Sequence, residues 1–276
     1  MPNMRIVYTN KADYATLTAS ATAGSLVASN LQTDLKSEIW RSTATSATLT
    51  LTWTAAETVS CVALPFCNLT STATIQVQGF TEVADVTPVI DSGAVLACPS
   101  AYGYSADLKV TTGVNSFAYG GATCADVWIT PTVVKKIVIT ITDTNNTAGY
   151  IEAGRLVVGK YWSPDYNVEN EGVKVTFQED SKHERSDAGE LRTDRGPIYR
   201  RLAFDLNVMS SSDRNYIWRI VVGNGMSKAV YISLIPDSTD VFDESVHSMY
   251  GRLSSSTTIQ YKLLGRHATS LQFDEL

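Results

Sequence analysis

Residues 47–53 read Ala-Thr-Leu-Thr-Leu-Thr-Trp, which places Leu49, Leu51 and Trp53 on one side of an extended chain and threonines on the other. That period of two, with β-branched residues on the polar face, constrains the chain more than any other feature. It returns at Ala73-Thr74-Ile75-Gln76-Val77-Gln78 and at Ile137-Val138-Ile139-Thr140-Ile141. It returns again in the second half, where Val173, Val175 and Phe177 are expected inward and Lys174, Thr176 and Gln178 outward. Residues 201–208 repeat the pattern with Leu202, Phe204, Leu206 and Val208 expected inward. Segment 59–64, ended by Pro65, reads as a partner for the Leu49–Trp53 strand. Short strands between polar turns point to an all-β chain of sandwich type. One stretch breaks the period. Ser210-Ser211-Ser212-Asp213 offers N-caps, Ile217, Ile220 and Val221 recur at helical spacing, and Gly223 ends the run. This predicts one helix over about 212–222, packed on the second sheet with Tyr216 or Trp218 at its margin.

Charge divides the chain. Residues 1–160 carry nine Lys/Arg and eleven Asp/Glu; residues 161–276 carry thirteen and seventeen. The shift supports two β domains, 1–160 and 161–276, meeting in the stretch 151–164. Residues 155–162 read as a strand that completes the first domain, and Tyr161-Trp162-Ser163-Pro164 opens the second. The net charge of −6 argues against a nucleic-acid binder. No apolar run approaches the roughly 18 residues of a membrane span. The polar start after Met1-Pro2-Asn3 lacks the apolar region of a secretory signal, which predicts folding in a cytoplasm.

Catalytic patterns are missing from the sequence. His183, His247 and His267 have no partners at metal or triad spacing, and no GxSxG or P-loop occurs. The carboxylate pairs Glu169/Glu171, Glu179/Asp180 and Asp243/Glu244 are local and read as solvated surface, not as groups opposed across a cleft. We expect no enzyme, no cofactor and no metal, although oxygen ligands for calcium exist at 143–146 and 237–243. Cys61, Cys67, Cys98 and Cys124 are separated by five, thirty and twenty-five residues, which matches no common zinc spacing. Buried thiols, disulfides formed in an oxidising medium, or a cluster if four sulfurs converge all fit that spacing.

Three groups of residues are candidates for contact. Trp40 and Arg41 read either as an aromatic platform and fork donor for a sugar, or as a core Trp and an Arg satisfying a carbonyl or carboxylate. Tyr102, Tyr104, Phe117 and Tyr119 sit among Gly, Ser and Asn, a composition suited either to an adaptable contact surface or to a hairpin with buried tyrosines. The mixed-charge run 179–195 reads as an exposed hairpin. Alternatively, Arg185, Arg192, Arg195, Asp187 and Asp194 pair with a neighbouring subunit.

Two resemblances follow from motif order. Ala28-Ser29-Asn30-Leu31, then Ser37-Glu38-Ile39-Trp40-Arg41-Ser42, then the Leu49–Trp53 strand resembles the start of a discoidin-type, galactose-binding-like jelly roll over residues 25–160. Gly154-Arg155-Leu156 leading to Tyr161-Trp162-Ser163-Pro164 is followed by a charged hairpin and Arg200-Arg201-Leu202-Ala203-Phe204. A single helix, a strand ending Leu234-Ile235-Pro236, and Met249-Tyr250-Gly251-Arg252-Leu253 come next. This order resembles tailed-bacteriophage tail-tip and distal tail proteins. Those proteins place the ring domain first, whereas here the sandwich leads. The resemblance implies a structural baseplate subunit forming a trimeric or hexameric ring that joins the tail tube to hub or fibre proteins. Such a subunit resides in the virion and assembles in the bacterial cytoplasm. The alternative is a carbohydrate-binding module that contacts host surface glycans.

Overall fold

The computed structural model of the chain describes residues 2–98, 123–238, 241–263 and 265–276. Strands and helices are numbered in chain order. The chain is all-β with short helices, built on two large sheets.

The first sheet is organised by β4 (Ser46–Cys67) and β8 (Thr123–Thr142), which run antiparallel along most of their length. Thr50 lies opposite Val138 and Val62 opposite Val127. Register shifts at Thr52/Glu57, Val59/Cys61 and Leu64/Cys67 bend this pair, as bulges do. The sequence therefore misleads at Pro65: residues 49–53 and 59–64 are not partners but one continuous strand carried past the proline. On β4 and β8 are laid β2 (Thr16–Ala19), β5 (Thr74–Phe80) and β10 (Val157–Gly159). The short strands β3 (Trp40–Arg41), β6 (Ile90–Asp91), β7 (Val95–Leu96) and β9 (Glu152–Ala153) finish the sheet. Leu49, Leu51, Trp53, Ile75, Val77, Ile137, Ile139 and Ile141 fill one core, as their alternation requires.

The second sheet follows the order β1–β15–β16–β18–β14–β11. These strands are β1 (Arg5–Val7), β11 (Lys174–Glu179), β14 (Ile198–Met209), β15 (Val230–Ser233), β16 (Ser248–Leu253) and β18 (Arg266–Glu275). A further strand, β17 (Ile259–Leu263), pairs with β18 alone. The N-terminal strand β1 thus joins the second sheet, with Ile6 opposite Ile232 and bridged to Trp162, although it lies within residues 1–160. Met4 and Ile6 supply apolar surface to that core, which three residues of alternation could not announce.

Two inward expectations fail for local reasons. The register of β14 shifts between Leu206 and Met209, so Met209 turns inward and Val208 outward. Phe177 is 65% exposed because β11 is the edge strand and its pairing with β14 runs on beyond the core.

The helix α1 (Ser211–Gly223) starts at Ser210, whose side chain accepts from the Asp213 N–H while the Asp213 carboxylate accepts from the Ser210 N–H. Ile217 and Ile220 are fully buried, and Tyr216 stacks on Trp162 with centroids 6.0 Å apart. A second short helix, α2 (Val241–Val246), follows the turn at Asp237 and was not expected from sequence.

A third apolar cluster joins the sheets: Val7, Cys61, Ala63, Phe66, Val157, Tyr231 and Tyr250. The second half of β4 is buried on both faces, Val62 and Leu64 on its own core and Cys61 and Ala63 on the other sheet. That double burial explains its nearly unbroken apolar run.

Candidate functional site

Trp40 is fully buried in the first core, and its indole N–H donates to the Ala21 carbonyl at 3.1 Å. It has no ring face open to a ligand. Arg41 donates from Nε and an Nη to Glu152 Oε2 at 2.8 and 2.6 Å, and its guanidinium lies over Tyr150, 4.2 Å from the ring centroid. The pair clips β3 to β9. Tyr102, Tyr104, Phe117 and Tyr119 lie outside the described residues. Asp143 accepts from the Thr70 N–H, the Thr70 hydroxyl and the Asn146 amide, so its oxygens hold a buried loop together. No cluster of three or more His, Cys, Asp or Glu suited to a metal occurs among the described residues. Cys61, Cys67 and Cys98 are buried, Cys124 is partly buried, and the Sγ atoms of Cys67 and Cys98 approach to 3.8 Å.

The 151–164 stretch has a different role from a plain strand. It carries β9 and β10, and between them Arg155 turns into the junction of the sheets. Its guanidinium makes a bidentate pair with Asp13 at 2.7 and 2.8 Å, donates to the Leu31 carbonyl at 3.1 Å and to the Tyr250 hydroxyl at 3.0 Å. Tyr250 in turn donates to Asp34 at 2.7 Å, which Arg252 also reaches at 2.9 Å. Burial works against the Arg155 charge, but the Tyr250 oxygen and the Asp13 carboxylate outweigh it and raise the group's pKa. Burial also works against the Asp34 charge, yet the hydrogen bonds from Tyr250 and Arg252 hold its carboxyl below the usual range. Asp13 is pushed up by burial against the pull of Arg155. This hub borders a cleft of about 340 Å³ that also includes Tyr14, Arg219 and Lys228. No signal in the sequence could have found it, because Asp13, Asp34 and Tyr250 are far from Arg155 along the chain.

The charged run forms a hairpin arm. β12 (Lys182–Arg185) and β13 (Leu191–Asp194) pair only with each other, and every residue of both is exposed. The register sets Lys182 opposite Asp194 and Glu184 opposite Arg192. Arg185, Asp187 and Arg195 are exposed as well. At its root, Asp180 N–H donates to the Pro197 carbonyl and Gly196 N–H to the Ser181 hydroxyl.

A groove of about 580 Å³ lies between α1 and β17. Arg214, Asn215, Trp218, Val221 and Val222 fall at spacings of three and four on one helix face, and Ile259 and Tyr261 share one face of the strand. Trp218 is 62% and Tyr261 73% exposed. Sequence reasoning placed Trp218 at a margin but did not bring Tyr261 to it.

No family model matches the sequence, and no curated protein matches it. Solved structures with partial likeness include carbohydrate-binding modules and a Ruminococcus gnavus GH29 fucosidase. The family 32 module of C. perfringens NanJ, solved with galactose, is 16% identical with a TM-score of 0.38, covering 56% of this chain and 98% of that one. A chitosan-binding module of a Paenibacillus sp. IK-5 chitosanase/glucanase is 18% identical with a TM-score of 0.37, covering 55% and 99%. A Streptococcus pneumoniae fucose-binding module is 8% identical with a TM-score of 0.38, covering 56% and 99%. What each binds is a property of that module.

Proposed function

We propose that this chain is a non-catalytic subunit that assembles with copies of itself into a ring at the tip or baseplate of a bacteriophage tail, joining the tail tube to hub or fibre proteins. The β12–β13 arm carries the reading. A two-stranded ribbon is marginal alone in water, and this one has no layer beneath it and every side chain exposed. Its alternating charges are self-complementary, so a neighbouring copy supplies both packing and pairing. Phe177, exposed on the free edge of β11 near the arm's root, extends the same unpartnered surface. The tail-tip setting rests on the motif order of residues 154–276. Cross-linking of intact particles tests it: tail-tube and hub peptides linked to this chain support the reading, and its absence from purified particles overturns it.

A second reading, a carbohydrate-binding module that contacts host surface glycans, is favoured by the groove between α1 and β17, where two exposed aromatic rings flank polar side chains. A glycan array probed with the whole chain tests it directly.

A further inference from the structure

We propose that the groove between α1 and β17 binds an acidic saccharide, with Trp218 and Tyr261 stacked on sugar rings and Arg214 holding the carboxylate. The inference rests on the glycan reading above and gives it a site and a ligand class. Both rings stand on regular elements of the second sheet and its helix. Trp218 stands on a helix anchored by the buried Ile217 and Ile220. Tyr261 is backed edge-on by the buried His267 ring, centroids 4.7 Å apart and planes at 79°, across a cross-strand pair.

Flat rings of this kind match the C–H face of a pyranose and lose few rotamers on binding. The volume falls in the range of small-ligand sites. Polar groups lie at the helix end of the groove. Arg214 donates to Asn215 Oδ1 at 3.0 and 3.3 Å, which orients the amide and leaves its NH₂ to donate to a hydroxyl.

The charge pattern selects the acid. Arg214 is the one charged residue lining the groove, and it has no carboxylate partner among the described residues. A fixed guanidinium beside apolar rings is complementary to a ligand that joins an apolar face to a carboxylate, and guanidinium pairs with carboxylate in a planar fork. A uronic or sialic acid has that combination. A neutral sugar would leave the cation unused.

Calorimetric titration of the full chain with oligogalacturonate and with sialyllactose, against lactose as a neutral control, tests the proposal. The acidic sugars are expected to bind at least tenfold tighter than lactose, with a preference that shrinks as salt is raised. Trp218→Ala and Tyr261→Ala are each expected to weaken binding at least tenfold, and Arg214→Gln to remove the preference for acid. All three side chains lie at the surface, and an unchanged near-UV circular dichroism spectrum would show that the variants fold. Equal binding of lactose and acidic sugars, indifferent to Arg214→Gln, overturns the acidic specificity while leaving the glycan reading standing. No binding of any sugar on the array or by calorimetry overturns both. Trp218-dependent binding of a polyglutamate peptide, with no sugar bound, overturns the proposal in favour of an acidic protein partner.

Discussion

Tyr250, on β16 of the second sheet, accepts a hydrogen bond from Arg155 at 3.0 Å and donates one to Asp34 at 2.7 Å, both from the first-sheet side of the junction. One phenol thus ties the two sheets through a buried charge network. Removing the hydroxyl leaves polar groups short of partners, so Tyr250→Phe should cost about 1–3 kcal/mol. Arg155→Ala leaves the Asp13 carboxylate without its cation and Asp34 with Arg252 alone, and should cost about 3–5 kcal/mol. Urea denaturation of the two variants checks both values, and the double variant should lose less than their sum.

Glu244 on α2 has a pKa raised to about 7, chiefly by burial and next by the Asp126 carboxylate, with the Asp237 N–H donating to it at 3.1 Å. Asp237 also faces it as a like charge, and Arg5 pulls the other way. Between the unfolded value near 4.5 and about 7 the folded chain holds a proton that the unfolded chain has lost. Stability from this group is therefore complete at the acid end and falls as pH rises through that window. Glu244→Gln should flatten that part of the stability–pH curve, gaining on the parent chain above pH 7. Thermal melts from pH 4 to 8 measure the difference.

Trp40 fills core space, and Arg41 neutralises a Glu152 side chain that is 7% exposed. Trp40→Ala should cost about 3–5 kcal/mol in unfolding free energy. Any ligand lost in that variant should be lost in proportion to the unfolded fraction. A variant that melts normally yet loses a glycan signal would contradict this placement.

Particular residues show how far the sequence could be read. Leu49, Ile75, Ile139 and Phe204 face the cores that their alternation assigned them. The reading fails where one backbone step changes parity, as between Leu206 and Met209, or where a strand lies at an edge, as at Phe177. It fails for β1 because three residues carry too little pattern to announce a partner more than two hundred positions away. It fails for the Arg155 hub because an ion pair depends on which loops meet, and that is a product of the fold. The arm was legible as a charged hairpin. Its lack of any packing beneath was not.

The arm's direction depends on its root. A Cβ at Gly196 would lie 2.4 Å from the Asp180 carbonyl carbon and oxygen, closer than side chains approach backbone. Gly196→Val should therefore force the root apart while sparing both cores. Limited proteolysis should cleave between residues 181 and 196 faster in the variant, with an overall melting temperature within a few degrees of the parent, about the shift for 1 kcal/mol or less.

The proposed function requires that this chain assemble through the β12–β13 arm. Analytical ultracentrifugation of the full chain, and of a variant with residues 182–194 replaced by a short Gly-Ser turn, tests it most directly. A closed oligomer for the full chain, reduced to a folded monomer in the variant, is the expected result. A full chain that stays monomeric at every concentration, or a variant that assembles as the parent does, would contradict it.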